Sequence, residues 1–172
     1  MNNSRILLKL VLDEIGLGGL DLSVFCERLV LQKKIYLVQI SGLDLRYRYN
    51  WYLHGPYCPS LTEDAFLLKD ELNYDEDYKE YTLSSNAKDD IERAKKIWKT
   101  PENVDLRYWL ELLASLHYLK HIAYWPGDSG TKERILLKLL EAKPQFANKP
   151  DLVEQGWQQL NQLGLLENRT LE

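Results

Sequence analysis

Sulfur and histidine are scarce in this chain: two cysteines, one methionine and three histidines are spread over 172 residues. Cys26 and Cys58 lack the spacing of a metal pair, and two thiols in a chain this long make no disulfide framework. No apolar run approaches the roughly 18–20 residues of a membrane span, and the opening Met-Asn-Asn-Ser-Arg leads into no signal-peptide cleavage pattern. The expectation is a cytoplasmic protein with no membrane partner. A basic excess is missing too: 22 Lys and Arg stand against 26 Asp and Glu, a formal net charge of −4. Nucleic-acid binders draw affinity from phosphate neutralisation, so this balance argues against a broad nucleic-acid footprint. The surplus acidity falls between residues 61 and 105, around Asp70, Glu71, Asp75, Glu76, Asp77 and Glu80, and reads as a solvated loop.

Catalytic signatures are equally thin. His117 and His121 lie four apart on a predicted helix and share a face. The run between and around them has no zincin glutamate, however, so no metal is expected. Gly16, Gly18 and Gly19 follow no strand, and the Gly127–Lys132 run lacks the spacing of a phosphate-binding loop. No serine–histidine–aspartate or cysteine–histidine grouping is visible. These absences together lead to the expectation of a non-enzymatic protein.

Tyrosine and tryptophan, by contrast, are plentiful, with eleven and five against three phenylalanines. Their polar tips suit half-buried seams and interfaces better than dry cores. Apolar periodicity and caps predict helices from Ser4 to Gly16, Ser23 to Ser41, Pro59 or Ser60 to Leu72 and Ser85 or Asn86 to Trp98. Further helices are predicted from Asp105 to Ala123, Thr131 to Glu141 and Pro150 to Leu163, with a loop at Trp125–Gly130. Tyr47–Tyr52 and Tyr81–Leu83 have the aromatic and β-branched character of short strands. The fold expected is therefore mainly α: a compact helical domain over 1–172 with winged-helix-like elements and a small β-hairpin or short strands. Sub-halves 1–100 and 101–172 suggest themselves, the second helix-turn-helix-like in outline.

Within the second helix, Arg28, Gln32 and Gln39 fall on one polar stripe, as on a surface helix. Lys33 instead sits among Cys26, Leu29, Leu37 and Ile40. It either snorkels to the rim or is buried against a carbonyl or carboxylate that fixes a neighbouring loop. Downstream, His54-Gly55-Pro56-Tyr57 makes a sharp turn, with Gly55 free to take an unusual backbone angle and Pro56 stiffening it. Tyr52, His54 and Tyr57 would be displayed around that turn, next to Ser60 at the start of a helix whose N–H groups suit an acidic side chain or phosphate. Gln32, Lys33, Tyr36, Tyr52, His54, Gly55, Pro56, Tyr57 and Ser60 are thus the candidate partner-binding residues. The same cluster also reads as a purely structural corner docking the strand onto Lys33 and Tyr36.

This cluster resembles the Gln-Lys-x-x-Tyr helix and the Tyr/His-Gly-Pro turn of the Panacea domain, the SocA-like antitoxin superfamily of bacteria and phages. Gly-Pro-Tyr-Cys-Pro-Ser-Leu is closer to its YwgA-like branch, as is the run Trp109–Leu119. The specific likeness covers about residues 29–70, with a looser match from 105 onward. Tyr57 departs from it, since many Panacea domains carry a small aliphatic residue there. The resemblance implies a compact helical fold without cofactor or catalysis, acting on a protein partner such as a toxin, a protease-adaptor target or a defence component. The alternative is a winged-helix-like DNA-binding regulator. Its reading face would be Gln155, Gln158, Gln159 and Gln162 on the last helix, with Lys143 and Lys149 on phosphates, because glutamine can read adenine edges.

Overall fold

The computed structural model describes residues 1–123 and 130–167. Of the expected loop at 125–130, residues 125–129 lie outside them, and with them most of the phosphate-loop-like run. The protein is mainly helical, with seven α-helices and one two-stranded antiparallel sheet among the described residues. It divides into two compact units, Met1–Lys99 and Thr100–Glu172. Among the described residues, no helix is long and apolar enough to cross a membrane.

The first unit holds α1 (Asn3–Glu14), α2 (Phe25–Ile40), the strands β1 (Asn50–Tyr52) and β2 (Gly55–Tyr57), α3 (Pro59–Glu71) and α4 (Ser85–Ile97). The α1 cap falls two residues before the expected Ser4, because the Asn2 side chain accepts the Arg5 N–H at 2.9 Å. It terminates at Gly16, whose φ of 72° is the left-handed value a glycine supplies at low cost. α2 closes at Gly42, with φ of 130°. A Cβ there would stand 2.6 Å from the Asp90 carboxylate, so only glycine fits. Arg93 of α4 donates to the Ser41 carbonyl at 2.6 Å, tying α4 to that end of α2. The core gathers Leu8 of α1, Leu31, Ile35 and Leu37 of α2, Leu61 of α3 and Ile91 and Ile97 of α4, all fully buried.

One strand expectation fails in this unit. Among the described residues Tyr81–Leu83 forms no strand; the segment runs from a 3-10 turn (Asp77–Glu80) to the cap of α4. In the acidic stretch Asp70, Glu76, Asp77 and Glu80 are exposed as expected, while Glu71 is paired. Arg5 donates to both Glu71 oxygens, at 2.9 and 2.6 Å, and this pairing holds the Glu71 carboxyl below its ordinary pKa.

The second unit is built on α5 (Leu106–His121), against which α6 (Lys132–Ala142) and α7 (Pro150–Gln162) pack. Gly156 lets α7 approach closely, since a Cβ there would sit 3.1 Å from Leu112. Asp105 caps α5 through the Arg107 and Tyr108 amides. Its carboxyl is drawn down to a pKa of about 2, first by the Arg107 side chain and then by the Arg107 amide. Between α5 and the turn after α6 lies a buried ion pair, Lys143 Nζ to Glu111 Oε1 at 2.6 Å, with Gln145 adding a longer bond at 3.3 Å.

Removing one member of a buried pair strands the other charge. Glu111→Ala should therefore lose about 3–5 kcal/mol in urea unfolding, and Glu111→Met with Lys143→Met should recover most of it. The Asp105 cap titrates with opposite logic to a basic group. Its folded pKa lies below the unfolded value of about 3.9, so its contribution is complete above about pH 4 and fades as pH falls through about 2. Asp105→Asn should flatten that limb of an acid-unfolding curve.

Candidate functional site

The corner begins with α2 and the hairpin. β1 and β2 pair as Asn50 with Tyr57, Trp51 with Pro56 and Tyr52 with Gly55, leaving Leu53 and His54 as the two-residue turn. Neither turn residue has positive φ; Gly55 takes it up instead, at 82°. That is the arrangement in which a following glycine matches the turn to the strand twist. Pro56 has no N–H, so its pair with Trp51 is the non-hydrogen-bonded kind, and the Pro56 carbonyl points off the ladder. It points at Lys33, whose Nζ donates to it at 2.5 Å while the residue is 1% exposed. Lys33 does not snorkel. It is the buried alternative, fixed on a carbonyl of the neighbouring turn.

Gln32 does more. Its amide donates to the Cys58 carbonyl at 2.8 Å and accepts the Cys58 N–H at 2.9 Å, a two-way bond of the kind a neighbouring strand would make. The same nitrogen reaches Thr62 Oγ1 at 2.9 Å, and Tyr57 OH meets that oxygen at 3.0 Å. Seven residues further along α2, Gln39 repeats the device on Tyr47, accepting its N–H at 2.9 Å and donating to its carbonyl at 3.0 Å. Seven residues are two helical turns, so the two clamps share a face. The stripe of Gln32 and Gln39 is therefore not a solvated surface, and Gln32 is 1% exposed.

The aromatics fill in around the clamps. Tyr49 packs edge-on against Tyr36 with centroids 5.0 Å apart, and its hydroxyl donates to the Gln32 carbonyl at 3.3 Å. Tyr47 donates to Asp64 Oδ2 at 3.0 Å, and burial pushes its pKa far up, so it stays a protonated donor. The candidate residues thus divide. Gln32, Lys33, Tyr36, Gly55 and Pro56 are buried in the mount. Tyr52 is exposed, and His54 and Tyr57 are half-buried at the surface, with Tyr52 edge-on to Tyr57 at 5.2 Å. Ser60 is exposed, 3.1 Å from Cys58 Sγ; α3 starts on Pro59 without a side-chain cap.

Between the first half of α2 and the turn lies a groove of about 280 Å³. It adds Phe25, Arg28, Leu29 and Leu53 to the site, residues the motif did not mark. Phe25 is 52% exposed and its ring meets His54 edge-on at 5.3 Å. Leu53 is 81% exposed at the turn tip. A leucine in a two-residue turn was the available signal, since turn chemistry calls for polar residues or glycine.

The alternative face in the second unit is less coherent. Lys143 is buried on Glu111 and is taken out of any phosphate contact. Lys149 lies over the Tyr108 ring at 4.5 Å. Gln155, Gln158 and Gln162 are exposed and Gln159 is half-buried, but Gln158 donates to Glu154 at 3.1 Å. His117 and His121 stack at 4.7 Å, and His121 Nε2 lies 2.6 Å from the Leu165 carbonyl. Among the described residues, no group of three or more potential ligands could hold a metal. No protein-family model, no curated protein and no solved structure matches this chain.

The division between mount and display is testable by stability. Gln32→Ala strands the buried Cys58 amide and carbonyl and should cost about 1–3 kcal/mol in thermal or urea unfolding. Tyr52→Ala and Leu53→Ser should stay within about 0.5 kcal/mol, as exposed substitutions do. Equal losses across all three would show that the whole corner is structural.

Proposed function

We propose that this chain is a non-catalytic protein-binding module whose partner docks in the groove between α2 and the β1–β2 turn. The observation that carries the reading is Leu53, an apolar side chain displayed at the tip of a turn that buried side chains pin from below. A single exposed leucine needs no explanation. Here, however, Leu53, Phe25 and Tyr52 gather around one concavity, and clustered exposed apolar surface marks interaction sites. Pinning the turn lowers the ordering cost of binding, which is how a small surface gains affinity.

The resemblance to the Panacea domain supports the same reading. The residues that carry it, Gln32, Lys33, Tyr36 and His54–Ser60, are largely those that build the corner. An antitoxin-like, adaptor or defence-accessory role in a bacterium or phage is the function that fits, with a toxin or protease-adaptor target as the kind of partner.

Tagged wild-type, Leu53→Ser and Phe25→Ser proteins would be used for capture from a lysate of the native host, with nuclease, and read by mass spectrometry. One stoichiometric protein should survive nuclease on the wild type and fall about tenfold or more with either substitution, as for a truncated hot-spot anchor. Equal capture by all three would remove the groove from the function. Recovery of nucleic acid, with partners lost on nuclease treatment, would favour a nucleic-acid regulator.

A further inference from the structure

The groove carries a sign as well as a shape. Its lining includes Arg28, Lys33 and His54 and no carboxylate. That runs against a chain whose Asp and Glu outnumber its Lys and Arg. Of the acids on the neighbouring elements, Glu63 of α3 is exposed beside Thr62, while two others are held by other groups. Glu27 of α2 accepts the Asp21 N–H at 2.6 Å, and Asp64 of α3 takes the Tyr47 hydroxyl and faces Arg5 at 3.6 Å.

Arg28 is held in place at the groove wall. Its Nη1 donates to the carbonyls of Leu22 at 2.6 Å and Ser23 at 3.0 Å, and its guanidinium lies 5.8 Å from the Phe25 ring centre. Among the described residues its partners are these two main-chain oxygens and that ring, none of them a carboxylate. A second cation, Arg48, stands outside the groove lining, two residues before β1. Arg48, Asn50 and Tyr52 are exposed while Tyr47, Tyr49 and Trp51 are half-buried or buried. In extended chain that alternation puts Arg48 on the Tyr52 face.

We infer that the partner presents an acidic segment to this groove: an apolar or aromatic side chain seated against Phe25 and Leu53, with Asp or Glu beside it facing Arg28 and Arg48. The inference rests on the groove being the docking site. It adds the chemistry of what docks. A held cation beside an apolar pocket favours such a segment over a basic one, because like charges at an interface are strongly disfavoured. One arginine on the wall of a largely apolar concavity, with a second farther along the Tyr52 face, favours a peptide over a phosphate chain, which needs many cations.

The test is a display selection of random 12-residue peptides on the full chain, with counter-selection on Leu53→Ser. Enriched sequences should carry Asp or Glu adjacent to an apolar or aromatic residue. The best of them should bind about three- to fivefold more weakly when those acids become Asn or Gln, and similarly on Arg28→Gln or Arg48→Gln, the size of part-exposed ion pairs. The amide-peptide arm leaves the protein untouched, so it stands even if Arg28→Gln disturbs the loop at Leu22. Enrichment of neutral or basic sequences overturns the acidic inference and leaves the docking groove intact. No enrichment over Leu53→Ser overturns both. Tighter binding of a single-stranded oligothymidylate than of any peptide, lost in Arg28→Gln and Arg48→Gln, replaces the acidic peptide with nucleic acid.

Discussion

The two-way bond between the Gln32 side chain and the Cys58 backbone is the constraint on which the corner depends. A two-stranded hairpin alone is marginal in water, because one strand pair buries little and leaves main-chain groups on both edges. Here α2 stands where a third strand would, offering amides and an ammonium in place of a strand's backbone. Gln32 serves Cys58, Lys33 serves Pro56, and Gln39 serves Tyr47 at the other end of the segment. Each buried partner is costly to leave unpaired, so helix and hairpin hold one relative geometry.

The rest of the site follows from that rigidity. With the strand ends fixed, Gly55 turns the chain and the tip carries Leu53 away from the core. The same attachment holds the turn over the first half of α2, where Phe25 and Arg28 are only partly covered. A groove results that is apolar on its walls and cationic at its edge, presented with little left to order on binding. Buried titratable residues such as Lys33 and Glu111 are engaged in holding the chain.

Much of the fold was legible because helices announce themselves. The glycine stops of α1 and α2, the cap and following proline of α4 and the apolar spacing of α5 placed those elements to within a few residues. The strands were harder. Tyr81–Leu83 has strand-like composition, but strand identity depends on a partner that local sequence does not specify. At the site, the motif residues gather at one corner of the first unit, and whether each builds that corner or faces outward depended on burial. Gln32 and Gln39 look like a solvated stripe on a helical wheel, and only the long-range approach of Tyr47 and Cys58 turns them inward. Phe25 and Arg28 belong to the groove through a contact made by a turn some 25 residues later, which no periodicity carries. Lys143 shows the reverse: an apparent surface cation is drawn inside by Glu111, 32 positions away.

Native-state hydrogen exchange at the Cys58 amide tests the central claim most directly. If Gln32 pins the hairpin to α2, that amide opens only with the surrounding core, at a free energy close to that of the Leu37 and Val38 amides. Exchange at the rate of an exposed loop amide would contradict the clamp. The displayed groove would then be a fluctuating turn without a fixed shape to recognise anything.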